Sequence, residues 1–182
     1  MQLPGTVLRL ASIYGPGDHQ ARLFDIIKRM DDRRPAILID GAKTEWRWSW
    51  DYVENTASAI VLAATDDRAA HQIYNVGEKF TRTQEEWIWA VAQATGWKGR
   101  LVPVSEAGLP PHLRESDPVD YRQSLVLDST KIHRELNFAE RVPFDTGIAR
   151  TVEWLRMSPP VKVDPKDFDY EAEDACLRAA LH

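Results

Sequence analysis

The stretch T-V-L-R-L-A-S-I-Y-G-P-G, residues 6–17, decides how the rest of the chain reads. Residues 6–13 are nearly all β-branched or apolar. A run of that kind is a strand covered on both faces, as in a parallel sheet flanked by helices. Gly15-Pro16-Gly17 then stops the strand in a loop.

Downstream, residues 20–31 carry Leu23, Ile27 and Met30 at helical spacing, with Asp18 as a cap. A short strand follows at 36–39. Residues 44–50 alternate, so Trp46, Trp48 and Trp50 share one face of an extended segment, with Glu45, Arg47 and Ser49 on the other. A helix is expected at 51–64 with Val53, Ala57, Ile60 and Ala64 as its buried stripe. Residues 72–76 read as a strand closed by Gly77. Thr83 and Glu86 form a capping box for a helix that Gly96 ends. A strand at 101–104, a proline-rich loop, a strand at 124–127 and a helix at 129–136 capped by Asp128 come next. Helices at 146–157 and 166–180 complete an α/β order, with a sequence boundary near residue 79.

Bulk properties limit the partners. The chain has 182 residues, 43% hydrophobic, with net charge −5, which disfavours nucleic acid as the main partner. No window approaches the roughly 20 apolar residues of a membrane span. The single cysteine, Cys176, allows no intrachain disulfide, and a cytoplasmic protein is expected. His19, His71, His112, His133 and His182 are scattered, so no metal site is expected.

Several segments, in order, resemble the extended short-chain dehydrogenase/reductases of the NAD-dependent epimerase/dehydratase family. Residues 6–17 are similar to the strand and turn after that family's active-site helix. WDYVENTASAIVLAAT (50–65) resembles its V-D-D-V-A helix, and QIYNVGE (72–78) its last core strand. LDSTKIHRELNF (127–138) and DTGIARTVEWLRMSPP (145–160) resemble later elements. The resemblance implies the C-terminal part of a Rossmann-type parallel sheet (1–79) plus a small α/β substrate-binding lobe (80–182). It implies NAD(P) as cofactor, a nucleotide-sugar or related hydroxyl substrate, and hydride transfer assisted by a Tyr-x-x-x-Lys pair.

Two of the family's motifs are not in this sequence. Gly15 and Gly17 are followed by Gln20, and Gly96 and Gly99 by Val102, so no G-x-x-G-x-x-G phosphate loop can be written. Four residues after each tyrosine stand Asp18, Thr56, Glu78, Leu125 and Asp174, never lysine. No catalytic residue is therefore assigned. Both motifs precede residue 6 in the family, so the expectation is one cut at Met1. A half-sheet would then self-associate, require a partner chain supplying the N-terminal half, or rearrange, since each uncovered Val, Leu or Ile forfeits about 1.5–3 kcal/mol.

The resemblance also nominates residues. Leu10 and Ala11 align with the wall beside the nicotinamide, or are plain strand residues. Ser12 stands where many members carry a substrate-binding asparagine, or is a buried serine bonded to backbone. Arg47 lies near an arginine that contacts nucleotide phosphate, or is a surface arginine stacked on tryptophan. The tryptophans are packing or a stacking wall. Asp117, Asp120 and Arg122 fall in the loop that closes over substrate, without a residue-by-residue match. The expected function is the substrate-binding half of an epimerase/dehydratase-like protein, inactive alone. The alternatives are a non-catalytic ligand-binding or regulatory module, or a truncated gene product.

Overall fold

The structure is a computed structural model that describes residues 5–116 and 119–180; Met1, Asp117 and His182 lie outside them. Six strands form three parallel pairs. β1 (Val7–Leu10) pairs with β5 (Ile73–Val76), β2 (Ser12–Tyr14) with β4 (Trp50–Tyr52), and β3 (Ala36–Asp40) with β6 (Arg100–Val104). Parallel neighbours need crossovers, and helices supply them. These are α1 (Phe24–Asp31), α2 (Val53–Thr65) and α3 (Gln84–Thr95); α4 (Thr130–Leu136), α5 (Phe144–Met157) and α6 (Tyr170–Ala180) follow the last strand. The α/β class stands as expected.

Local chemistry sets the helix ends. The capping box of Thr83 and Glu86 is formed, and Gly96 ends α3 at φ 77°. Asp128 accepts from the Thr130 N–H ahead of α4. α1 begins later than its hydrophobic spacing suggests. Asp18 accepts from the N–H groups of Gln20 and Arg22, and Ala21 sits at φ 47°, so the chain turns before it winds. Leu23, Ile27 and Met30 are buried as expected.

Three expectations fail. The strand over residues 6–13 breaks at Ala11 into β1 and β2, and β1 is not covered on both faces. Leu8 and Tyr74 face α2 and α4, whereas Val7 and its register partner Ile73 are 52% and 47% exposed. The stripe of α2 is also displaced. Asn55, Thr56, Ala59 and Ala63 are buried, while Ile60 and Val61 are exposed. Residues 59–64 of α2 are apolar on every side, so spacing cannot choose a face. Its polar residues choose instead. Asn55 Nδ2 donates to the Val142 carbonyl, and Asn55 Oδ1 accepts from the N–H groups of Arg141 and Val142, each at 2.9 Å. Thr56 Oγ1 donates to Asp51 at 2.6 Å. Finally, residues 124–127 make one isolated bridge, Trp48 to Leu125, in place of a strand. The Ser49 hydroxyl accepts from the Leu127 N–H at 2.6 Å and so takes the place of a backbone partner.

Two cores result. Tyr14, Ile27, Trp87, Val91, Ile148 and Val152 centre the larger, between α1, α3 and α5. Ala59, Tyr74, Val76, Ile132 and Leu136 centre the smaller, between α2, α4 and β5. The larger core draws on residues before and after position 79, and β3 pairs with β6 across it.

Candidate functional site

Where β1 passes into β2, the chain lines an open cavity of about 700 Å³. Leu10, Ala11, Ser12 and Ile13 form one wall, and residues 123–127 the other. Backbone bonds fix the first wall. The Ala11 N–H donates to the Val76 carbonyl at 2.9 Å and the Ser12 N–H to the Ser49 carbonyl at 3.1 Å. Gly77 lets the strands close here, since a Cβ on it would lie 3.2 Å from the Ala11 Cβ. The second wall hangs on the tryptophan segment. Trp46 Nε1 donates to the Gln123 carbonyl, the Leu125 N–H to the Arg47 carbonyl, and the Ser49 N–H to the Leu125 carbonyl. Leu10, Leu125 and Val126 leave an apolar, half-exposed mouth.

Ser12 is held inside this cavity. Its Oγ accepts from Trp48 Nε1 at 2.6 Å, and a lone pair and the hydroxyl proton remain for a ligand. Leu10, Ala11 and Ser12 are thus brought together. Arg47 is not with them. Its Nη1 donates to the Thr81 carbonyl at 2.5 Å and lies 3.6 Å from Glu86, at the start of α3. The tryptophans also divide. Trp46 and Trp48 stack on each other at 5.2 Å, whereas Trp50 packs on Tyr14 and Trp87. Asp120 and Arg122 pair with each other at 2.8 Å, well exposed.

Sequence reasoning missed Arg22. Its Nη1 donates to the Ile13 carbonyl at 2.9 Å and to Asp18 at 2.7 Å. It lines the first cavity and a second of about 350 Å³ enclosed by α1, β3 and the loop over residues 106–115. The i,i+4 pair of Asp18 and Arg22 was the signal available in the sequence.

A buried acidic cluster lies behind the site. Tyr14 OH donates to Glu78 at 2.8 Å, and Arg82 donates to the other Glu78 oxygen at 2.9 Å while its guanidinium covers Phe144. Burial pushes Glu78 up to about 7, against the pull of Tyr14 and Arg82. Burial likewise pushes Asp51 up to about 6, and its Oδ1 has no hydrogen-bond partner. Glu140 lies close enough to raise both. Tyr14 is held far above the ordinary phenol range by burial and by Glu78.

The groups present do not make a complete dinucleotide site. A Cβ on Gly15 would lie 2.6 Å from Val53, so that glycine serves the contact of β2 with α2, and Gly17 opens onto nothing within 4 Å. Leu10 and Ala11 offer an apolar wall, but these glycines do not shape a pyrophosphate cradle. Among the described residues no group of three His, Cys, Asp or Glu is placed to hold a metal ion. Among them, too, no helix is long and apolar enough to cross a membrane.

Comparison with known proteins agrees with this architecture. Residues 1–77 match the model of the NAD dependent epimerase/dehydratase family. A dTDP-glucose 4,6-dehydratase of Streptomyces niveus is 29% identical over 152 residues, which cover 82% of this chain and 41% of that protein. The UDP-glucose 4-epimerase of Thermotoga maritima, solved with UDP-glucose, is 25% identical with a TM-score of 0.60, over 84% of this chain and 46% of that one. A dTDP-glucose 4,6-dehydratase of Bacillus anthracis in complex with NAD shares the fold with a TM-score of 0.62 at 19% identity, over 84% of this chain and 44% of that one. The chain spans about two-fifths of the length of the curated relatives it matches.

Proposed function

We propose that this chain, which resembles part of the NAD-dependent epimerase/dehydratase family, is the substrate-binding half of such a protein and acts on a nucleotide-sugar or related hydroxyl substrate. One observation carries the reading. Leu10, Ala11 and Ser12 line a single open cavity, and the Ser12 hydroxyl keeps hydrogen-bonding capacity free. Ser12 would bind substrate, and Leu10 and Ala11 would lie along the nicotinamide side of bound NAD(P). Arg47 would reach the nucleotide phosphate only by leaving Thr81 and Glu86.

Alone, the chain neither turns over substrate nor binds NAD tightly. Calorimetric titration of the pure chain with UDP-glucose, dTDP-glucose and NAD tests this. Nucleotide-sugar binding that Ser12→Ala weakens is expected, and micromolar NAD binding overturns the reading. The non-catalytic ligand-binding module remains the second reading, because both walls of the cavity come from this chain. Mixing with a chain that carries the phosphate loop and the Tyr-x-x-x-Lys pair separates the two, since only the first reading yields turnover.

The partner follows from exposed apolar surface. Among the described residues β1 pairs only with β5, and Val7, Leu10, Ile73, Ile60 and Val61 are between 39% and 60% exposed. Covering each is worth about 1.5–3 kcal/mol, and an open strand edge accepts another strand. A second copy, or a chain supplying the complementary half, covers this surface. A monodisperse monomer with a cooperative melt refutes that. The lone free Cys176 fits a reducing, cytoplasmic setting.

A further inference from the structure

After α5 the chain returns as a strap across α1. Val161 is fully exposed, and a 3₁₀ turn, Pro165–Phe168, leads into α6. Phe168 meets Phe24 edge-on, with Lys28 and Arg29 over its ring. Tyr170 lies under Arg34, and its hydroxyl donates to Asp32 at 2.5 Å. Arg34 also pairs with Asp174.

The tip of this strap is Glu173, only 2% exposed. Its Oε1 accepts from Arg29 Nε at 3.0 Å and Nη2 at 2.8 Å, and lies 3.2 Å from His112 Nε2. Arg29 is 4% exposed and belongs to α1; His112 belongs to the short turn Pro111–Leu113. Arg29 and His112 both line the smaller cavity. One turn further along α6, Cys176 Sγ contacts the Gly108 carbonyl of the same loop. The strap therefore grips α1 with one set of groups and the loop with another.

We infer that α6 is a releasable latch: Glu173, buried between Arg29 and His112, holds the loop over residues 106–115 against α1, and release of α6 opens the cavity between them. The inference stands on this geometry whatever ligand the cavity takes.

Burial shows why release is local. Among the described residues of α6, Glu173 alone is buried, and no apolar side chain is. α6 also meets β3, so undocking uncovers part of that strand, but it withdraws no buried apolar side chain of its own, unlike α3 with Trp87, Ile88 and Val91 or α5 with Ile148, Val152 and Leu155, and it therefore falls among the lower-energy, sub-global openings. The ion pair adds geometry more than net stability, because both charges lost water to form it. Arg34 Nε reflects the same economy. It is buried without a partner, 4.0 Å from Glu173 Oε2.

Hydrogen exchange of the full chain in low denaturant, read by mass spectrometry, tests the latch. Peptides from α6 and from residues 105–116 should exchange in one opening, at lower denaturant than peptides from β3 and α3. Glu173→Gln should speed exchange of both segments by about tenfold or more and leave β3 unchanged. The inference is overturned if α6 exchanges only with β3 and α3, or if α6 opens while the loop stays protected. An unchanged loop rate in the Glu173→Gln variant overturns it as well. The wild-type measurement decides alone if the variant does not fold.

Discussion

Replacing Glu78 by glutamine should make the chain less sensitive to pH and more stable above neutrality. Glu78 is raised from 4.5 to about 7 by burial. The folded state therefore holds a proton that the unfolded chain gives up, and the contribution of Glu78 to stability is greatest below pH 4.5. It falls as pH rises from there through about 7, where the folded carboxyl ionises. At about 1.4 kcal/mol per unit the displacement is worth roughly 3 kcal/mol. Asp51, raised from 3.8 to about 6, adds loss in the same direction over pH 4–6. These groups interact, so the slope belongs to the cluster. Glutamine keeps an oxygen for the Tyr14 hydroxyl but gives no charge to Arg82, which at 27% side-chain exposure can turn to water. Urea denaturation from pH 5 to 8, with a constant m-value, reads the result. Wild type should lose stability across that window, and the variant should lose much less and cross above it near pH 7. A wild type that gains stability, or a variant with the wild-type slope, refutes the reasoning.

Three further outcomes are expected. Asn55→Ala removes three hydrogen bonds and leaves the Arg141–Val142 backbone without these partners, so the stability measured by urea denaturation should fall by about 2–4 kcal/mol. Gly147→Ala should lower the melting temperature despite better helix propensity, because its Cβ would stand 2.9 Å from Tyr52 and 3.1 Å from the Tyr14 hydroxyl. Val61→Lys, at a side chain 60% exposed, should shift monomer stability by no more than about 0.5 kcal/mol. It should also weaken association in sedimentation equilibrium if the outer face of α2 is an interface.

The sequence was most legible where local chemistry decides. The Thr83 and Glu86 box, Gly96, and the stripe of α1 are written in spacing and caps alone. That Leu10, Ala11 and Ser12 line one cavity is not written in their spacing, because nothing in three strand residues says what faces them; only the resemblance grouped them. The face of α2 was not legible, since a helix whose residues 59–64 are all apolar is oriented by Asn55 reaching a loop 86–87 residues away. The contacts of Arg47 were hidden for a related reason. Alternation places a side chain on a face but does not reveal that Thr81 and Glu86 will claim it. The clamp of Glu173 on Arg29 spans 144 residues, and no periodicity reports it.

Ser49 closes the far wall of the larger cavity with a side chain, not a strand, across 78 residues of sequence. That separation exceeds that of any strand pair in the fold. Contacts so distant are ordered late, because loop-closure entropy must be overcome before they add stability. The cavity is therefore assembled after the strand pairs that frame it. A chain released early from synthesis or from denaturant has its helices before it has its binding site, and ligand capture should lag behind the recovery of helical signal.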